Sequence, residues 1–101
     1  IVTSNEEISS NFDLPSSINI DNYPNPFNPS TTVLITLLEA QNLNISIYNS
    51  IGQRVRNLTS SRLSAGAHSF RFDGNNLSSG VYFIRITGNK IEQTHKMLLL
   101  K

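Results

Sequence analysis

The sequence predicts an all-β domain, an antiparallel sandwich of about seven short strands. Three observations carry this. Apolar residues recur at every second position through most of the chain. Turn signals built from Gly, Asn, Asp and Pro interrupt those runs roughly every ten residues. No segment has a helical period, and no internal repeat is visible.

Residues 1–13 are polar, with Glu6, Glu7, Ser9, Ser10 and Asn11, and are expected to be a linker from a preceding domain, with Phe12 and Leu14 docking onto the fold. Ile18 and Ile20 alternate with Ser17 and Asn19 as a short strand. Pro24, Pro26 and Pro29 then each fix φ and remove an N–H donor. Each also pushes its predecessor (Tyr23, Asn25, Asn28) toward extended geometry. The segment is a rigid turn that cannot lie inside a sheet. Asn25 and Asn28 brace it with side-chain turns, and Phe27 plugs the edge of the core.

A β-branched strand is predicted over residues 32–38, followed by a turn at Glu39-Ala40-Gln41-Asn42. Leu43, Ile45 and Ile47 alternate with Asn44, Ser46 and Tyr48 in the next. Gly52 sits at the positive-φ position of the turn after it. A strand over residues 53–60 carries Val55 and Leu58, and residues 61–66 form a loop. His68, Phe70 and Phe72 alternate in the strand before an Asp73-Gly74-Asn75-Asn76 turn. Gly80 opens a strand with Tyr82, Ile84 and Ile86 inward, Gly88-Asn89 reverses the chain, and the last strand spans residues 91–100. The expected core is Val33, Ile35, Leu37, Leu43, Ile45, Ile47, Val55, Leu58, Phe70, Phe72, Tyr82, Ile84, Ile86, Met97 and Leu99.

Composition narrows the function. The chain has 101 residues, one domain's worth. Charged residues are 15% and net charge is +1, with no basic run, so nucleic acid and anionic membranes are not indicated. Cysteine is absent, which excludes disulfides and thiol chemistry. No apolar run approaches the ~18 residues of a membrane span. The first residue is Ile1 and no signal peptide heads the chain, so a fragment or processed product of a larger protein is expected.

The residues Asn22-Tyr23-Pro24-Asn25-Pro26-Phe27-Asn28-Pro29-Ser30-Thr31-Thr32, then Ile47-Tyr48-Asn49-Ser50-Ile51-Gly52, Ala65-Gly66-Ala67-His68, Phe72-Asp73-Gly74, Ser79-Gly80-Val81-Tyr82-Phe83 and Lys96-Met97-Leu98-Leu99-Leu100-Lys101 stand in a specific order. Together they resemble the type A C-terminal sorting domain of the type IX (Por) secretion system, over residues 14–101. More loosely, they resemble immunoglobulin-like domains of flagellar hook-cap proteins. Phe72 stands where the family often has Trp, and Asn49 where it often has Asp; both keep the physical role of the residue replaced.

The resemblance implies an immunoglobulin-like sandwich that does no chemistry itself. It implies transit through the periplasm of Bacteroidetes-like bacteria and delivery to the outer cell surface or medium. The partners it implies are outer-membrane secretion and sortase-like proteins and an N-terminal passenger, with cleavage in the linker, somewhere before Tyr23. It implies no cofactor. Recognition is expected at Pro24, Asn25, Pro26, Phe27, Asn28, Pro29, Gly80, Tyr82, Lys96, Met97, Leu98, Leu99, Leu100 and Lys101. The last strand, flanked by Lys96 and Lys101, is expected to present an edge for strand addition, which leaves a monomer or a weak edge-strand dimer.

Other functional residue types are present without the partners that their chemistry needs. His68 reads as a partly buried strand histidine and His95 as a surface one; a metal or triad role needs a carboxylate and a nucleophile that the pattern does not supply. Asp73, Asn75 and Asn76 lack the spaced acids of a calcium loop and read as an Asx turn. Asn44, Asn57 and Asn76 stand in Asn-x-Ser/Thr sequences that chance explains in so Asn- and Ser-rich a chain. Tyr48 and Phe83 fall opposite the core, so the alternative function is a carbohydrate-binding or spacer module of a secreted hydrolase. Its discriminator is a solvent-exposed aromatic row.

Overall fold

The computed structural model describes residues 18–89 and 91–101. The linker expected over residues 1–13 and the docking of Phe12 and Leu14 lie outside these. Seven strands follow in order: β1 Ile18–Tyr23, β2 Ser30–Leu37, β3 Gln41–Asn49, β4 Arg54–Leu63, β5 Gly66–Asp73, β6 Gly80–Gly88 and β7 Glu92–Leu99. No described residue is helical.

The strands form two antiparallel sheets, ordered β1-β2-β5 and β4-β3-β6-β7. Period-two alternation gives each sheet one apolar face, and the two faces meet. Val33, Ile35, Leu37, Leu43, Ile45, Ile47, Phe72, Tyr82, Ile84, Ile86, Met97 and Leu99 are all buried, as the alternation predicts. The hydroxyl of Tyr82, near the start of β6, donates to the carbonyl of Ser78 at 2.7 Å. A tyrosine that bonds back to the chain just upstream at this corner is a hallmark of immunoglobulin-like sandwiches.

The turns form where their side chains dictate. Asn49 Oδ1 accepts from the amides of Ile51 and Gln53 at 3.2 and 2.9 Å. Gly52 takes φ 89° in that turn, the left-handed value its place in the sequence predicts. Asp73 Oδ1 accepts from the Asn75 amide at 2.9 Å, an Asx turn.

Five expectations need correction. The strand expected over residues 53–60 runs on to Leu63, and the loop expected over 61–66 shrinks to Ser64 and Ala65 between β4 and β5. Gln41 pairs with Leu63, which packs against the core, while two register shifts in the β3–β4 ladder absorb the extra residues. Val55, Leu58 and Phe70 are only half-buried, because β4 and β5 are outer strands of their sheets. Ile18, not among the expected core residues, is buried on the inward side of β1, and Phe27, expected to plug the edge of the core, is buried with it. The turn expected over residues 39–42 is shorter, because β3 starts at Gln41, and β2 starts at Ser30 and ends at Leu37. His95, expected on the surface, is half-buried and hydrogen-bonded.

Candidate functional site

Residues 24–29 connect β1 to β2, and the peptide bonds before Pro24, Pro26 and Pro29 are cis. The segment does not stay with its own sheet. It crosses to the other one and lies against the end of β7.

Phe27 anchors this crossing. Its ring is 1% exposed and sits 5.8 Å from that of Phe72, tilted at 58°. The guanidinium of Arg56 covers Phe72 from outside, 5.2 Å from the ring centroid. With its ring buried, Phe27 presents its backbone to β7. Its amide donates to the Leu98 carbonyl at 2.9 Å, and its carbonyl accepts from the Leu100 amide at 3.0 Å. This makes a short parallel bridge to Leu99.

Asn25 continues the same contact with its side chain. Oδ1 accepts from the Leu98 amide at 3.1 Å, and Nδ2 donates to the Lys96 carbonyl at 3.4 Å. The edge of β7, expected to lie open for strand addition, is therefore occupied from Lys96 to Leu100 by the chain's own proline segment. Asn25, expected to brace the turn and to belong to the recognition surface, is flanked by two prolines that lack N–H and turns its side chain to partners 71–73 positions away.

A buried polar cluster fixes the base of the crossing. Asn22 is 4% exposed; its Nδ2 donates to Thr31 Oγ1 at 3.2 Å, and Thr31 Oγ1 donates to the Pro24 carbonyl at 2.8 Å. His95 Nε2 donates to Asn22 Oδ1 at 2.9 Å and so ties β7 to β1 across the two sheets. Sequence reasoning missed Asn22 and His95 here. The available signal was that Asn22 shares the alternating set of Ile18 and Ile20.

On the far side, the Gly74 amide donates to the Pro29 carbonyl at 2.8 Å. A Cβ on Gly74 would stand 3.0 Å from Leu99 Cδ2 and 3.1 Å from Pro29 O, so any side chain here would press on both. Gly80 pairs with Leu99 and Tyr82 with Met97. The Lys101 amide donates to Ser79 Oγ at 2.9 Å, and its ammonium reaches the Asn75 carbonyl.

The structure thus brings all the expected recognition residues to one end and edge of the sandwich. They divide by exposure. Phe27, Tyr82, Met97 and Leu99 point into the core, whereas Pro24, Asn25, Pro26, Asn28, Lys96, Leu100 and Lys101 are exposed, with Tyr23 beside them at 82%.

Among the described residues no three His, Asp or Glu side chains gather as a metal site would need. His68, half-buried in β5, bonds the Ser64 carbonyl at 2.7 Å through Nε2. Tyr48 and Phe83 face each other across β3 and β6 and are half-buried, so they do not form an exposed aromatic row. Together with Arg85 and Glu92, which form an exposed ion pair, they line a shallow concavity of about 340 Å³.

No curated protein matches the chain. The profile of the family described as "Secretion system C-terminal sorting domain" matches residues 21–100, nearly all of the described residues. The chain belongs to that family, the sorting signals of type IX secretion.

Proposed function

We propose that the export machinery of the outer membrane reads the joint surface of the proline loop and the end of β7. The single observation that carries this reading is the contact of Asn25 and Phe27 with Lys96, Leu98 and Leu100. It unites two motif segments from distant parts of the chain into one rigid patch. Pro24, Asn25, Pro26, Asn28, Pro29, Lys96, Leu98, Leu100 and Lys101 would form the patch, while Phe27, Gly80, Tyr82, Met97 and Leu99 hold its shape from below.

The family match supports the rest of the reading. Residues 14–101 act as the sorting domain and residues 1–13 as the linker. The parent protein passes through the periplasm, a sortase-like peptidase cuts in the linker, somewhere before Tyr23, and the passenger reaches the surface or the medium. Any catalytic activity of the exported protein would reside in that passenger.

The test is a fluorescent reporter, directed to the periplasm and fused ahead of residues 14–101, in bacteria with and without the type IX machinery. Reporter outside the cell, shortened by the domain and only in the competent strain, is the expected result. Reporter retained in the periplasm of both strains, with the domain folded, would overturn the reading.

A further inference from the structure

An outermost strand exposes a row of unpaired N–H and C=O groups and thereby invites a second chain to pair with it. β7 is outermost in the four-stranded sheet, and β4 is outermost on the other side. The two are shielded by different means. β4 is broken by two register shifts and carries Arg54, Arg56 and Arg62. β7 has no register shift in its ladder.

Four edge groups of β7 are instead satisfied from within the chain: the carbonyls of Lys96 and Leu98 and the amides of Leu98 and Leu100. The segment that satisfies them cannot pass the ladder outward. Pro24, Pro26 and Pro29 have no N–H to offer a further strand. The sheet therefore ends at the loop instead of gaining one more strand with a fresh edge.

We infer that the proline loop is an edge cap that prevents β7 from pairing with β7 of a second copy of this chain. Asn25 is the removable part of the cap. Its exposed side chain satisfies Leu98 N–H and Lys96 C=O, while Phe27 holds the loop to the core. This goes beyond the export reading, and its readout is the association state of purified protein, so either can fail alone.

The experiment is analytical ultracentrifugation over roughly a hundredfold range of concentration, paired with hydrogen exchange at single-amide resolution. In the unaltered chain the Leu98 and Leu100 amides are expected to exchange as slowly as those within the β6–β7 ladder, and the protein to stay monomeric. Fast exchange at both amides in the unaltered chain would by itself overturn the cap, whatever any variant does. Asn25→Ala is expected to speed Leu98 exchange in dilute solution and to tighten self-association at least tenfold. Asn25→Asp, which keeps an acceptor for Leu98, is expected to remain monomeric. A folded Asn25→Ala monomer whose Leu98 amide exchanges fast would overturn the proposal, since the edge would then be open without pairing. Unchanged Leu98 protection in that variant would overturn it as well.

Discussion

The two outer strands of the four-stranded sheet make an instructive pair. β7 buries Met97 and Leu99 completely and is joined along its edge by a loop from the other sheet. β4 is longer, buries no side chain fully, and pairs only with its neighbour β3. One edge is built by long-range contacts, the other by a local hairpin with bulges and arginines. The motif segments proposed above to face the export machinery coincide with the first kind. A surface assembled from distant parts of the chain exists only when the whole domain has folded, so it reports folding as well as identity. A hairpin edge such as β4 carries no such information.

Substitutions can break or sharpen this contrast. The largest effect is expected from Phe27→Ala, which empties a fully buried aromatic site and frees the loop; it should cost about 3–5 kcal/mol in urea denaturation. Leu58→Ala in β4, half-buried at a bulge, should cost only about 1 kcal/mol. Equal losses at the two sites would remove the distinction between the edges.

Next comes Asn22→Ala, which leaves His95 and Thr31 without their buried partner. A loss of about 1–3 kcal/mol is expected, together with faster exchange of amides in β1. Stability unchanged within error would mean that the polar cluster does not tie the sheets together. The smallest effect is expected from Arg56→Ala, which uncovers Phe72 on the β4 side; about 0.5–1 kcal/mol should be lost.

Most of the fold could be read from the sequence, because period-two alternation in β3 and β6 sets both strand and face, whereas β2 and β7 carry apolar residues on both sides and were readable as strands more than as faces. Asn49, Gly52 and the Asp73-Gly74 turn were readable for the same reason: their chemistry acts within a few residues. The strand after Gly52 was less readable. Its apolar residues, Val55, Leu58 and Leu63, do not keep a period of two, because register shifts move the face along β4. The candidate site was readable as a set of motifs but not as a joint. That Asn25 bonds β7, that Asn22 receives His95, and that Gly74 makes room for Leu99 are contacts across some 25 to 73 positions of chain. No local pattern encodes such distances; only the packing of Phe27 brings those backbones together.

The central claim is that export depends on the capped β7 edge and not on the sandwich in general. The most direct measurement compares two charge reversals in the reporter fusion: Lys96→Glu with Lys101→Glu at the β7 end, and Arg54→Glu with Arg62→Glu on β4. All four side chains are exposed, so both proteins should fold, which circular dichroism and thermal melting can verify. Secretion at least tenfold lower for the β7 pair, with the β4 pair within twofold of the unaltered reporter, is the expected result. Equal secretion of the two, or a larger loss from the β4 pair, would contradict the claim.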